Sequence, residues 1–182
     1  AMRPATALSA DGPLNLLQAV QVVGHPQARQ RGVLAVMDGE VHAAVAVTKR
    51  ATQGVGAFIS SGQAPLGWVD DAGVHWSSGP VKPPVPFAGL ELPEQWPQVA
   101  ILQGCVEPPA ALIPALLQAG IQGLVFTGTG AGQLSVVERQ ALAAWPESLP
   151  LMLRANRCGS GPVYEGPDDR RLGLLAAGRL NP

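Results

Sequence analysis

Two polar, glycine-rich segments and one lysine are the parts of this 182-residue chain whose residue types could do chemistry. Each glycine-rich segment, residues 128–133 and residues 157–161, follows an apolar run of the length of a β-strand. If these strands form a parallel sheet, both segments lie beyond the carboxyl ends of its strands, where ligands bind in such sheets. Their backbone could then line a site. Alternatively, they are tight turns that let the chain cross the edge of the sheet.

The glycine-rich segments do not match the known phosphate-binding loops. A dinucleotide-binding fingerprint would require glycine where Gln133 stands, and no lysine follows as in a phosphate-binding loop. Two cysteines and three scattered histidines predict neither a disulfide framework nor a metal site. The net charge of −1 gives no basic surface that would hold nucleic acid. We expect no cofactor, no metal and no nucleic-acid partner.

Three single residues are candidates for catalysis, and each has a structural alternative. Lys49, beside Thr48, could leave the end of a strand and enter a cleft, although a lone lysine is by default solvated. Cys158 follows Arg157, which could activate a thiol. However, no histidine is near Cys158 in sequence, and a buried structural cysteine is commoner. His42 lies in a predicted strand and is interpreted as a core or hairpin residue.

The first part of the chain predicts one buried helix followed by hairpins. Asp11-Gly12-Pro13 supplies a helix start. Residues 14–23 are apolar on nearly every side, so the helix is expected to be buried all round. Asp38-Gly39 is a favoured dipeptide for a tight hairpin turn. The other expected elements are an apolar strand covered on both faces at residues 32–37, its return strand at 41–47, a mobile loop at 51–67 and a small hairpin at 69–76.

Proline density divides the chain into two parts. Residues 79–97 contain six prolines, which cannot continue a helix or a central strand, so a semi-extended linker is predicted there. After it, apolar strands and helices alternate, which implies right-handed crossovers and a parallel sheet. Ser135 and Glu138 have the spacing of a capping box. The predicted elements are strands at 99–102, 123–127 and 149–155, with helices at 110–119 and 135–145.

Several motifs, in one order along the whole chain, resemble bacterial L-asparaginases. They are Arg31-Gly32-Val33-Leu34, Asp38-Gly39-Glu40-Val41-His42-Ala43-Ala44, Val47-Thr48-Lys49, Gly128-Thr129-Gly130-Ala131-Gly132 and Arg157-Cys158-Gly159-Ser160-Gly161. The resemblance implies an α/β protein of two parts. Residues 1–78 would be the later part of a larger N-terminal α/β domain, residues 79–97 the proline-rich linker, and residues 98–182 a smaller C-terminal α/β domain with a parallel sheet.

The resemblance also implies that ammonia is released from L-asparagine through an acyl-enzyme on a threonine. A threonine hydroxyl is a poor nucleophile until it is activated. Lys49 occupies the motif position of the lysine that helps to activate it in this family, and we expect its ammonium group to be partly buried. Gln133 matches a polar residue near the substrate. Glu165, with Asp168 as the alternative, is the candidate for binding the amino group of the substrate.

The two threonine motifs of the family, of the types Thr-Gly-Gly-Thr-Ile and His-Gly-Thr-Asp-Thr, do not occur in these 182 residues. We therefore expect the chain to be an internal piece of a longer asparaginase and to be inactive alone. Val45-Ala46 replaces a more polar pair before the lysine motif, which puts full activity in question. The alternatives are a non-catalytic fragment, a glutaminase-asparaginase, and an amidase subunit of a tRNA-dependent amidotransferase.

The resemblance implies a small amide substrate and a homotetramer, built as a dimer of intimate dimers in which a neighbour completes each active site. The apolar stretches of the chain are shorter than the ~20 residues that a membrane span needs, so we expect no membrane partner. Two cysteines without a pairing pattern favour a cytoplasmic location, with the periplasm as the alternative.

Overall fold

The chain divides into two compact units, Ala1–Leu90 and Glu91–Pro182. The computed structural model describes residues 1–77, 79, 89–145 and 148–180. Much of the predicted linker, residues 80–88, lies outside the described residues, so the domain limits at residues 78 and 98 stay predictions. Within the described part, no helix combines the length and the apolar character needed to cross a membrane.

The first unit contains one helix, an antiparallel sheet and a two-stranded ribbon. Along the chain these elements are α1 (Gly12–Gly24), β1 (Leu34–Met37), β2 (Glu40–Ala43), β3 (Val47–Lys49), β4 (Phe58–Ser60), β5 (Gly67–Asp70) and β6 (Gly73–Trp76). The sheet has the order β1-β2-β5-β6, and β3 pairs with β4 in the ribbon. Asp38 and Gly39 join β1 to β2 with φ values of 52° and 75°, the left-handed backbone that a two-residue hairpin turn requires. The predicted turn at Asp38-Gly39 and the predicted hairpin at residues 69–76 are confirmed.

Two expectations for this unit are wrong in detail. The return strand predicted over residues 41–47 ends at Ala43, because the chain turns there through a hydrogen bond from the Ala46 N–H to the Ala43 carbonyl. Val47 then begins β3, which belongs to the separate ribbon. The segment predicted as a mobile loop, residues 51–67, contains β4, which is hydrogen-bonded to β3.

Helix α1 has the predicted position but not the predicted burial. Its buried side chains are Asn15, Gln18 and Val22, whereas Leu16 and Val23 are 68% and 78% exposed. The helix contacts the sheet along one stripe only, in which Val22 joins a small core on β2 and β5. The polar residues face inward because they have partners there: the Asn15 side-chain oxygen accepts from the backbone N–H of Asp38 at 3.0 Å. Strand β1 is half-buried throughout rather than covered on both faces.

The second unit is a four-stranded parallel sheet with helices on one face. Its elements are β7 (Val99–Gln103), α2 (Leu112–Gln118), β8 (Gly123–Gly128), α3 (Val136–Ala143), β9 (Leu151–Asn156), α4 (Asp169–Leu172) and β10 (Leu174–Ala176). The strand order is β10-β9-β8-β7, and every neighbouring pair is parallel. The predicted α/β class and parallel sheet are confirmed, and the predicted capping box is present at Ser135 and Glu138. Helix α4 and strand β10 were not predicted from the sequence.

The two faces of this sheet differ in burial. On one face, residues of β8 and β9 pack against α2, α3 and α4 in the largest core cluster, in which Leu124, Phe126 and Met152 are fully buried. Side chains alternate between the faces of a strand. The opposite face therefore carries Val99, Ile101, Leu151 and Leu175, each more than half exposed in this chain.

Candidate functional site

Lys49 is the last residue of strand β3 and not a residue beyond its end. It lies opposite Phe58 of β4, and its Nζ is 5.9 Å from the centroid of the Phe58 ring, within the range of a cation–π contact. Because Lys49 is exposed, the expectation of a partly buried ammonium group is wrong for this chain. The ribbon therefore presents a charged amine at its end.

A buried histidine joins the main sheet to the ribbon that carries Lys49. His42 on β2 is fully buried, and its Nδ1 lies 2.9 Å from the Oγ of Ser60 on β4. Ser60 is directly opposite Val47, two residues before Lys49. The other ring nitrogen, Nε2, lies 3.5 Å from the Glu40 carboxylate and has no hydrogen-bond partner among the described residues. Burial lowers the pKa of His42 below its ordinary value and outweighs the opposite effect of Glu40, so a neutral ring is favoured. The interpretation of His42 as a core residue fits this placement.

The first glycine-rich segment follows β8 as a tightly closed turn. Thr129 and Gln133 exchange two backbone hydrogen bonds, of 3.1 and 2.7 Å. A Cβ on Gly128 would lie only 2.3 Å from the carbonyl carbon of Gly132, and Gly132 itself has a φ of 84°. Glycine is therefore required here by close backbone approach and by conformation. The turn leaves Gln133 exposed at the carboxyl edge of the sheet.

The second glycine-rich segment follows β9 and is tied to its surroundings by backbone contacts. The Asn156 side chain accepts from the Cys158 N–H at 2.9 Å and donates to the Gly161 carbonyl. Arg157 donates to the carbonyl of Gly104, next to the end of β7. Cys158 is exposed, and its Sγ lies 3.7 Å from the Gly130 carbonyl. A carbonyl cannot take up the thiol proton, so this contact does not activate the sulfur.

The two acidic candidates have different surroundings. Glu165 is exposed and forms an ion pair with Arg170 at 2.9 Å. Asp168 lies 3.7 Å from Arg139 and 3.2 Å from Arg171. Asp168 also lines an open cavity of about 190 Å³ to which Gln133 contributes, whereas Glu165 is not among the lining residues of that cavity. The structure thus brings Gln133 and Asp168 together.

The wall of this cavity contains a buried ion pair that was not predicted from the sequence. The Nε of Arg154 donates to Asp169 Oδ1 at 2.9 Å, and a second guanidinium nitrogen donates to Asp169 Oδ2 at 2.7 Å. Both side chains are at least nine-tenths buried. Burial raises the pKa of Asp169, but hydrogen bonds from Arg154 and from the Gly166 N–H outweigh it and hold that pKa below its ordinary value. The available signal was an arginine in an apolar strand, which implies a buried partner.

The site residues fall in both units. Lys49 belongs to the first unit and Gln133, Glu165 and Asp168 to the second. Among the described residues, no group of three His, Cys, Asp or Glu side chains could hold a metal ion.

Comparison with protein families decides what these segments belong to. Residues 1–82 match the N-terminal domain of asparaginase, and residues 98–182 match the glutaminase/asparaginase C-terminal domain. The chain belongs to the asparaginase family. The resemblance seen in the sequence motifs is therefore confirmed.

Two relatives show how much of an asparaginase is present. The chain is 35% identical to a probable periplasmic L-asparaginase of Haemophilus influenzae, matching all of this chain and 53% of that protein. It is 32% identical to L-asparaginase 2 of Bacillus subtilis, again over its whole length and 48% of that protein. The chain thus spans about half the length of the curated relatives it matches.

A solved structure agrees with this assignment. The crystal structure of a probable cytoplasmic L-asparaginase from Campylobacter jejuni superposes with a TM-score of 0.88 at 30% identity. The match covers 100% of this asparaginase-family chain and 60% of the Campylobacter chain. The likeness extends over both units.

Proposed function

We propose that this chain is part of an L-asparaginase that hydrolyses the side-chain amide of L-asparagine to L-aspartate and ammonia. The observation that carries the proposal is Thr48-Lys49 at the end of the β3–β4 ribbon, in a chain whose two halves match the two domains of the family. An ammonium group there can stabilise a threonine hydroxyl as it loses its proton. Lys49 is the proposed catalytic residue.

The second unit supplies the proposed contacts to the rest of the substrate. Asparagine carries an α-ammonium group, which a carboxylate recognises, and a carboxylate and amide that accept or donate hydrogen bonds. Gln133 can donate and accept through its side-chain amide. Glu165 and Asp168 are the alternative carboxylates. Their present arginine partners form largely exposed ion pairs, which water and salt screen, so a substrate ammonium group can replace them.

Ammonia release by the complete protein tests the proposal. We expect turnover of L-asparagine, and we expect Lys49→Ala to lower kcat by at least ~100-fold, the lower end of what a positioned proton-transfer group contributes. Arg50→Ala is the matched control, because Arg50 is the neighbouring exposed cation, and its kcat should stay within about threefold of wild type. A folded complete protein that releases no ammonia would refute the proposal.

The same assay separates the alternatives. Equal kcat/KM values for L-glutamine and L-asparagine would identify a glutaminase-asparaginase. The C-terminal domain family that residues 98–182 match includes both glutaminases and asparaginases in its description. The isolated 182-residue chain should be inactive on both amides, because it contains neither threonine motif. Measurable ammonia release from it, abolished by Lys49→Ala, would contradict this expectation. Comparing Glu165→Gln with Asp168→Asn identifies the substrate-binding acid by which of the two raises KM.

The assembly and compartment are part of this proposal. We propose a homotetramer of intimate dimers in the cytoplasm. The exposed apolar side chains of α1, including Leu16 and Val23, support association because they need a covering surface. The free cysteines Cys105 and Cys158 support a reducing compartment. Light scattering on the complete protein and fractionation of cells that produce it test the two statements separately.

A further inference from the structure

We infer that Arg154 is the positioning residue that holds the two substrate-binding segments of the second unit at a fixed spacing. The inference rests on the proposed function, since it concerns how Gln133 and the acidic candidate are placed. Arg154 lines the cavity but is more than nine-tenths buried, and its guanidinium nitrogens donate to Asp169 and to the Ala131 and Tyr164 carbonyls, so its proposed role is to position the segments that carry the binding side chains.

The geometry of the guanidinium group carries the inference. One terminal nitrogen of Arg154 donates to the Ala131 carbonyl at 2.9 Å and lies 3.4 Å from the Gly132 carbonyl. The other terminal nitrogen donates to the Tyr164 carbonyl as well as to Asp169. One rigid, planar group therefore binds the turn after β8, the segment after β9 and the start of α4.

Each of these contacts is next to a candidate residue in the chain. Gly132 directly precedes Gln133. Tyr164 directly precedes Glu165, and Asp169 directly follows Asp168. Whichever acid binds the substrate, its neighbour is fixed to Arg154. The spacing of the two backbone segments that carry Gln133 and that acid is consequently held by one guanidinium group.

Lysine cannot replace arginine in this role. Its ammonium group is a compact point charge with three donors, whereas the guanidinium group presents five N–H donors in a fixed plane. A lysine side chain at this position could keep an ion pair with Asp169 but could not also span the Ala131 and Tyr164 carbonyls. The Arg154→Lys variant therefore keeps the charge and releases the spacing of the two segments.

The test is steady-state kinetics of the complete protein with L-asparagine. We expect Arg154→Lys to raise KM at least tenfold while kcat changes less than threefold, because Lys49 lies in the other unit and is unaltered. Arg179→Lys, an exposed arginine in the same unit, is the control and should leave both constants unchanged. Circular dichroism and a thermal melt establish that each variant is folded at the assay temperature.

The possible results separate a positioning role from a purely structural one. Arg154→Lys with a lower Tm but a wild-type KM would overturn the inference and leave the proposed function standing. If Arg154→Lys does not fold, the same KM criterion applies to Asp169→Asn, which keeps an oxygen for the Gly166 N–H and loses the two-point ion pair. If the wild-type protein releases no ammonia, the proposed function fails first, and this inference fails with it.

Discussion

Acidification should destabilise the first unit through one side chain, His42. The ring is fully buried, and burial lowers its pKa, so the folded protein keeps it neutral at pH values where the unfolded chain takes up a proton. Protons then bind preferentially to the unfolded state. The free energy of unfolding therefore falls as the pH falls below the ordinary histidine pKa of 6.5.

The size of this effect follows from proton linkage. Each pH unit below 6.5 removes about 1.4 kcal/mol for as long as the folded ring stays neutral. Between pH 7 and pH 5 the loss reaches at most about 2 kcal/mol. Asp11, whose pKa is lowered to about 2 by hydrogen bonds from the Arg3 and Met2 N–H groups, loses its contribution only at lower pH. Asp11 therefore does not contribute to the change between pH 5 and 6.5.

Urea unfolding followed by tryptophan fluorescence measures the effect. Replacing Trp96 and Trp145 by phenylalanine leaves Trp68 and Trp76, which both report on the first unit. In His42→Gln the pH dependence between 5 and 6.5 should become nearly flat. His75→Gln, on the half-exposed β6, is the matched control and should retain the wild-type dependence. If His42→Gln loses stability with acid as steeply as wild type, the buried neutral ring is not the cause.

Two further predictions concern single positions. Gly67→Ala should prevent correct pairing of β5 with β6, because an added Cβ would lie 2.1 Å from the carbonyl oxygen of His75. Loss of the Trp68 fluorescence transition in urea would show that the pairing is lost. A cooperative unfolding transition with the wild-type midpoint would contradict the prediction. Ser135→Ala removes the hydroxyl that accepts from the Glu138 N–H at 3.2 Å and should lower the free energy of unfolding by about 1 kcal/mol in urea denaturation. No change in the midpoint would show that the cap contributes nothing.

Features that depend on a few neighbouring residues could be predicted from the sequence. The capping box at Ser135 and Glu138 and the hairpin turn at Asp38-Gly39 are both present, because each needs only a local hydrogen bond or a local backbone conformation. The alternation of apolar strands and helices after residue 98 likewise predicted the parallel sheet. The family resemblance was carried by motifs in their order along the chain.

Features that depend on residues distant in the sequence could not be predicted, or were predicted wrongly. The inward face of α1 could not be predicted from hydrophobicity, because Asn15 bonds to Asp38 only after the hairpin has folded against it. Arg154 could be seen as a charge within an apolar strand, but its ion pair with Asp169 requires the α4 segment to return to the sheet. Lys49, Gln133 and the acidic candidates came from motif positions, and their roles stay proposals.

The strand order of the second unit bears on how the chain reaches its native state. Each ladder of this sheet joins strands that are separated in sequence by a helix, as in the pairs Val99 with Gly123 and Gly123 with Leu151. Such contacts require the closure of a long loop, and the chain entropy lost in that closure is offset only after the strands have paired. In contrast, β1 and β2 are separated by a turn of only two residues. Hairpins form in about 1–10 μs, and non-local sheets form more slowly. The hairpins of the first unit are therefore expected to form before the parallel strands of the second unit pair. Formation of the parallel sheet is then expected to limit the folding rate of the chain.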